Sequence, residues 1–358
     1  MRIKKALFLG TLCTAVSGMS LFAQAGVSYA KSAEKTTEAA SSEEAESEEE
    51  TSEEVTYPIT IEHAFGETVI ESKPERIATI GWENQDTPLA LGVAPVGVSA
   101  ANYGMVTDNN LHPWTDEAFA DLGVEKPVVF DDVDGLDFEQ ISDCNPDVIL
   151  AAYSGMTQED YDTLSQIAPV IPYKEKAWQT SWREQTIENA EGMGMKPEGE
   201  KKVKKVEDLI AEKLEEYPQL EGIPTAFCWI SADDFSTFYV YLPTDPRAAY
   251  LLDLGFTLPE SVQKLAGETD DFNITVSREN ADQLDDIQLM VVYGDEDLLK
   301  SLQEDKLMSQ IPAIKNGAVA LVDSTSALAG ACTPSILSIP YEIDEYLQLL
   351  SDAAENIK

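Results

Sequence analysis

A nine-residue pattern occurs twice in this chain, as Asp147-Val-Ile-Leu-Ala-Ala-Tyr-Ser-Gly155 and as Asp286-Ile-Gln-Leu-Met-Val-Val-Tyr-Gly294. Each copy runs from an acid through a nearly unbroken apolar segment to a glycine. Apolar residues at successive positions describe a strand buried on both faces, and such a strand belongs in a parallel sheet covered by helices. Other segments repeat too. The apolar strand pattern at 77–80 returns at 225–230, and the helix that ends in Leu91-Gly92 returns at 248–255, ending in Leu254-Gly255. Ile167-Ala168-Pro169 is echoed by Ile311-Pro312-Ala313, each ahead of an apolar strand. No strand pattern lies between Val170 and Thr225. There, residues 180–193 read as one helix with Trp182, Thr186 and Ala190 on a face. Lys196-Pro-Glu-Gly199 interrupts, and residues 200–217 read as a long charged helix.

The expected fold is therefore α/β: two α/β lobes with central, mainly parallel sheets, joined by a rigid connecting helix. The expected bounds are 57–178 for the first lobe, 179–199 for the connection and 200–358 for the second lobe. A ligand cleft is expected between the lobes, at the carboxyl ends of the strands. The segment Ile77-Ala-Thr-Ile-Gly-Trp82-Glu-Asn-Gln-Asp86 reads as a strand followed by a polar, aromatic loop, and so as one wall of that cleft.

The first 30 residues read as a secretory signal: basic Arg2, Lys4 and Lys5, an apolar run, then small residues near Ala25 and Ala30. Residues 31–56 read as a disordered acidic tether. Ser41-Ser-Glu-Glu-Ala-Glu-Ser-Glu-Glu-Glu-Thr-Ser-Glu-Glu54 offers too little apolar surface to offset its ordering entropy. The net charge of −42 argues against nucleic acid and anionic lipid as partners and fits an extracytoplasmic protein. Cys13 leaves with the signal. The remaining Cys144, Cys228 and Cys332 are too widely spaced for a disulfide framework or a zinc pattern. They read as small buried thiols, with one disulfide plus a free thiol the alternative.

Several motifs share one resemblance. They are Thr60-Ile-Glu-His-Ala-Phe-Gly-Glu-Thr68, Lys73-Pro-Glu-Arg-Ile77, Trp82-Glu-Asn-Gln-Asp86 with Leu91-Gly-Val-Ala-Pro-Val-Gly97, and residues 131–138. Pro146-Asp-Val-Ile-Leu-Ala-Ala-Tyr-Ser-Gly155, Thr244-Asp-Pro-Arg-Ala-Ala-Tyr-Leu-Leu-Asp-Leu-Gly255 and Leu337-Ser-Ile-Pro340 complete the set. In their order and spacing they resemble an iron-siderophore substrate-binding protein of the cluster-three periplasmic-binding-protein-like family. The resemblance implies capture of a ferric siderophore and delivery to the permease and ATPase of an ABC importer, by a monomer with no cofactor of its own. Relatives in Gram-positive organisms carry a lipobox. Gly10-Thr11-Leu12-Cys13 places Leu before the Cys, too early in the signal, so no lipid anchor is expected.

A ferric chelate brings its iron already coordinated, so aromatic walls and hydrogen-bond donors suffice to hold it. The candidates are Trp82, Asn84, Gln85, Tyr103 and Tyr153 in the first lobe and Trp178, Trp182 and Arg183 at the junction. Trp229, Tyr239, Arg247 and Tyr293 complete the set in the second lobe. Arg247, one of five arginines, opens a helix against its dipole and needs a carboxylate partner, Asp253 among others, or a ligand. The family docks on its permease through an acid on each lobe, and Glu159 and Glu279 fit by position. Scarce arginine favours a neutral or cationic hydroxamate chelate over an anionic triscatecholate. No direct metal site is expected, since His63 and His112 are the only histidines. Haem or a corrinoid is the alternative ligand. An enzyme is not expected: no nucleophile elbow, Walker loop or dinucleotide fingerprint is present.

Overall fold

The computed structural model describes residues 55–132 and 135–358. The expected signal segment, Cys13 and residues 31–54 of the expected tether lie outside the described residues.

Strands β1 (Ile59–His63) and β2 (Gly66–Ile70) form an antiparallel hairpin. Gly66 turns it at φ 127°, a conformation that suits glycine. Strand β3 (Ile77–Thr79) leads through α1 (Asp86–Ala90) to β4 (Gly97–Ser99). Helix α2 (Pro113–Asp121) leads on to β5 (Val129–Phe130). The chain returns by α3 (Phe138–Asp143) to β6 (Val148–Ala151), then by α4 (Gln158–Leu164) to β7 (Val170–Pro172). The first-lobe sheet has the order β5-β4-β3-β6-β7 and every pairing is parallel. All four β6 residues are fully buried, as the apolar run requires. Burying one such Val, Ile or Leu side chain contributes about 1.5–3 kcal/mol. The chain winds outward from β3 and restarts on its other side at β6. The carboxyl ends of these two strands are therefore a topological switch point.

The connection differs from the single expected helix. It is a pair, α5 (Trp182–Gly192) and α6 (Lys196–Leu214), turned at Gly194. A capping box between Ser181 and Glu184 starts α5. The Lys196-Pro197 segment opens α6 instead of breaking it, because proline is tolerated in the first turn, where its missing N–H is no loss. Gly199 allows the close approach: a Cβ there would sit 2.6 Å from Ala190 Cβ. Helix α5 packs on α1 and β6 of the first lobe, while its Trp182 enters the second-lobe core with Val203, Val206 and Ile210 of α6.

In the second lobe β8 (Thr225–Trp229) is followed by β9 (Thr237–Tyr241), α7 (Pro246–Asp253), α8 (Glu260–Ala266) and β10 (Asn273–Ser277). Then come β11 (Leu289–Tyr293), α9 (Glu296–Glu304), α10 (Pro312–Asn316), β12 (Val319–Val322), α11 (Ala327–Ala331) and α12 (Ser338–Ala354). The sheet order is β10-β9-β8-β11-β12. Pairings β8–β11 and β11–β12 are parallel, whereas β8–β9 and β9–β10 are antiparallel. The repeat thus holds for β8 and β11, and a hairpin takes over on the far side of β8. Two apolar clusters cover the faces of this sheet. Cys144, Cys228 and Cys332 are buried free thiols. No described helix is long and apolar enough to cross a membrane.

Candidate ligand cleft

The carboxyl ends of β3 and β6 in one lobe, and of β8, β9 and β11 in the other, border a cavity of about 400 Å³. Trp82, Tyr103, Tyr153 and Trp178 line it from the first lobe and the junction. Trp229, Tyr241, Arg247, Phe272, Tyr293 and Thr333 line it from the second. Seven of the expected candidates meet here: Trp82, Tyr103, Tyr153, Trp178, Trp229, Arg247 and Tyr293.

Backbone contacts hold the first wall. The Trp82 N–H donates to the Tyr153 carbonyl at 3.2 Å, which joins the loops after β3 and β6. Trp178 adopts φ 62° and meets Tyr153 edge-on, with ring centroids 5.3 Å apart. It lies over Gly155, where a Cβ would sit 2.5 Å from the indole nitrogen. Tyr103 meets Tyr293 across the cleft at 5.2 Å.

Arg247 is the only charged residue in the lining. Its Nε and Nη2 donate to the two carboxylate oxygens of Asp245, at 2.8 and 2.6 Å. Its guanidinium carbon lies 3.9 Å from the Tyr241 ring centroid, a cation–π stack. Asp245 caps α7 by accepting from the Arg247 backbone N–H, which resolves the unfavourable helix-start position. The partner is therefore Asp245, not Asp253. Burial opposes the Arg247 charge, but the Asp245 carboxylate outweighs it and raises the pKa, so the cation is permanent. Among the described residues the guanidinium's side-chain hydrogen bonds run from Nε and Nη2 to Asp245, with none from Nη1. Burial also pushes the Tyr103 phenol up to about 12 and raises Tyr153 and Tyr293. The lining thus offers neutral phenols, indoles and one guanidinium fork, with no carboxylate. That combination suits a bulky ligand with outward oxygen atoms.

Five expected candidates lie elsewhere. Asn84 is fully buried: its Nδ2 donates to the Ile80 and Tyr153 carbonyls, and its Oδ1 accepts from Tyr153 N, Gln185 Nε2 and Asn189 Nδ2. It pins the cleft loop to β6 and α5 and has nothing left for a ligand. Gln85 is buried at the start of α1, outside the lining. Trp182 is 2% exposed and donates to Asp253 at 3.0 Å. Arg183 bonds Asp253 and Glu207, both at 2.7 Å, and so clamps the connection to the second lobe. Tyr239 stacks on the outer side of Trp229 with centroids 5.5 Å apart, and only Trp229 reaches the cavity. In exchange the cavity gains Tyr241, Phe272 and Thr333. Alternation along 237–241 could have flagged Tyr241. Phe272 precedes an edge strand and Thr333 follows a short helix, positions without a sequence signal.

Behind Trp82 lies a buried acidic pair absent from the expectations. Asp86 accepts from Trp114 Nε1 at 2.9 Å, Thr115 Oγ1 at 2.8 Å and the Ser335 hydroxyl of the second lobe. Burial raises its pKa to about 6. Glu83, at φ 55°, is buried with neither carboxylate oxygen hydrogen-bonded, and His112 Nε2 is 3.8 Å away. Burial first, then the nearby Asp86 charge, raises Glu83 well above the ordinary range. Burial lowers His112 to about 4, and its ring stacks on Trp114 with centroids 4.6 Å apart. His112 is therefore a neutral base at pH 7, and burial favours the neutral form of Glu83. Among the described residues no three His, Cys, Asp or Glu side chains are grouped to hold a metal ion.

A family model described as periplasmic binding protein matches residues 77–325. A solved structure of PiaA from Streptococcus pneumoniae in complex with ferrichrome is 48% identical, with a TM-score of 0.81, over 84% of this chain and 100% of that one. Another structure, of the iron uptake ABC transporter substrate-binding protein PiaA from the same organism, is 46% identical with a TM-score of 0.77, over 83% and 100% of the two chains. The petrobactin-binding protein YclQ of Bacillus subtilis is 24% identical over 305 residues, 81% of this chain and 88% of that one. With its two-lobed fold and interlobe aromatic cavity, the chain belongs to the periplasmic binding protein family.

Proposed function

We propose that this protein captures a ferric siderophore in the interlobe cavity outside the cytoplasmic membrane and delivers it to the permease of an ABC importer for iron uptake. The observation that carries the reading is the cavity itself: aromatic walls from both lobes around one guanidinium. The likeness to PiaA, solved with ferrichrome, supports the same class of cargo. Ferrichrome is a neutral ferric trihydroxamate, and a cavity with one cation and no carboxylate matches it better than a highly anionic triscatecholate. The iron arrives as part of the substrate, so the protein supplies outer contacts and no metal ligands. Glu159 in the first turn of α4 and Glu279 just after β10 are both exposed and serve as the permease contacts, one on each lobe.

Calorimetric titration of the purified protein tests the cargo, with ferrichrome, a ferric triscatecholate, haem and cobalamin as ligands. Saturable binding of ferrichrome is expected. Binding of haem or cobalamin alone, or of none of the four, would overturn the reading. The double variant Glu159→Lys, Glu279→Lys should abolish import and keep ferrichrome binding. Unchanged uptake would remove the docking assignment.

A further inference from the structure

A second cavity, of about 310 Å³, adjoins the first and shares Trp82 and Trp178 with it. Its chemistry is the opposite. Asp132 and Asp160 line it, together with Ser99, Asn102, Ser154 and apolar groups, and no Lys, Arg or His does. Asp132 is held in place: its Oδ2 accepts from the Ser99 hydroxyl, and Ser99 Oγ accepts from the Gly81 N–H at 3.1 Å. Its Oδ1 is buried and receives no hydrogen bond. Asp160 spends Oδ2 on the Thr157 N–H and hydroxyl, at 2.9 and 2.7 Å, and its Oδ1 receives no protein donor. Two carboxylates thus line one chamber, and Asp132 brings to it a buried oxygen without a donor. An acceptor buried without a donor is costly, and a charged donor satisfies it best. A metal ion is a poor candidate, because no third His, Cys, Asp or Glu joins these two among the described residues. A protonated primary amine supplies three N–H donors on one small cation, and an alkyl chain behind it can run along Trp82 and Trp178, which line both cavities. The strong negative charge of the chain adds a favourable field.

We propose that this second cavity is a specificity subsite. It takes the ammonium end of an alkylamine arm carried by a ferric hydroxamate chelate, while the body of the chelate fills the aromatic cavity. The inference rests on the siderophore reading above and names the ligand feature that reading leaves open. Trp82 and Trp178 are then the gateposts between body and arm.

The test compares two linear ferric trihydroxamates by calorimetry on the protein used above. One ends in a free primary amine and the other is the same compound acetylated on that nitrogen. Ferrichrome, which has no amine arm, is the control for fold and main cavity. The amine form should bind at least about tenfold more tightly than the acetylated form, the worth of a hydrogen bond to a charged group. Asp132→Asn keeps a hydrogen-bonding shape and should reduce that ratio to within about twofold. Asp160→Asn, on a different element, should reduce it part-way, so a poorly folded Asp132 variant does not decide the matter. Equal binding of the two compounds alongside normal ferrichrome binding would overturn the subsite and leave the proposed function standing. A ratio that survives in both variants would overturn it as well. Failure of every chelate, ferrichrome included, would overturn both.

Discussion

The loops after β3 and after β8 occupy equivalent places in the two lobes, and they are built in opposite ways. After β3 the chain enters a short helix, and residues 83–89 are buried throughout. After β8 it enters a hairpin, and most of residues 231–237 are exposed, tied mainly by local turns such as Ser236 N–H to Asp234 at 2.8 Å. Trp82 rests on an interior of Asn84, His112 and Trp114, whereas Trp229 is 41% exposed and rests on Tyr239. The loop that carries Trp82 is fixed before any ligand arrives. The other depends on surface stacking and can adapt. Preorganisation saves the cost of ordering side chains on binding, so the first wall should carry more of the specificity.

The largest effect that would break this contrast is at Asn84. Asn84→Ala removes all five of its buried hydrogen bonds and leaves backbone and amide groups of β6 and α5 unsatisfied. A loss of about 3–4 kcal/mol is expected in urea unfolding. A loss below about 1 kcal/mol would mean that the first wall is not pinned as described.

Next comes Arg247→Ala, which strands Asp245, a residue with 0% exposure, without its charge partner. A stability loss of about 3 kcal/mol is expected, because a buried carboxylate is left uncompensated. Ferrichrome affinity should fall at least about tenfold, since a charged donor to the ligand disappears. The second wall therefore has one rigid post among its adaptable parts.

Glu83→Gln sharpens the comparison through pH. An acid whose native pKa is raised stabilises fully below its unfolded value, and that stability is lost as pH rises through the native value. Asp86, raised to about 6, follows the same rule between about pH 4 and 6. His112, lowered to about 4, works in the other sense: its contribution is present above about pH 6.5 and is lost as pH falls toward 4. Asp86 and His112 oppose each other in the acidic window, and the Glu83 contribution is lost as pH rises through its own raised value. Wild-type thermal stability should decline with rising pH through that value, and the Glu83→Gln profile should be flatter. Parallel profiles would remove Glu83 from the account.

The smallest stability effect belongs to Trp229→Ala. Its partial exposure limits the cost to about 1 kcal/mol or less, while ferrichrome affinity should fall about tenfold through the lost aromatic wall. Trp82→Ala, in contrast, should lower both. If the two variants behave alike in unfolding and binding, the contrast between the walls fails.

The strands that frame the cleft were legible because burial on both faces leaves an unbroken apolar record, as in residues 147–155 and 286–294. Helix α2 and strand β5 were not expected; β5 has two residues and pairs only at a sheet edge, too short to imprint a pattern. The repeat concealed the antiparallel turn of β9 and β10, because pairing partners are set by tertiary packing and not by the strand's own sequence pattern. The site followed the same logic. Trp82, Tyr153 and Tyr293 were readable from their place at strand ends. Asn84 was misplaced because a sequence shows an amide after a strand but not that its rotamer turns back onto Ile80 and Tyr153. Trp182 and Arg183 were misplaced because their partner Asp253 lies 71 and 70 residues further along the chain, in the second lobe.

Three of the five tryptophans, Trp82, Trp178 and Trp229, face the cavity, while Trp114 and Trp182 are locked in the interior. The protein therefore carries its own set of spectroscopic labels, already sorted into reporters and internal standards. With fluorotryptophan in place of tryptophan, a diamagnetic gallium chelate would move the fluorine resonances of the wall residues and leave the interior pair as fixed references. Each wall could then be watched separately as it receives its cargo.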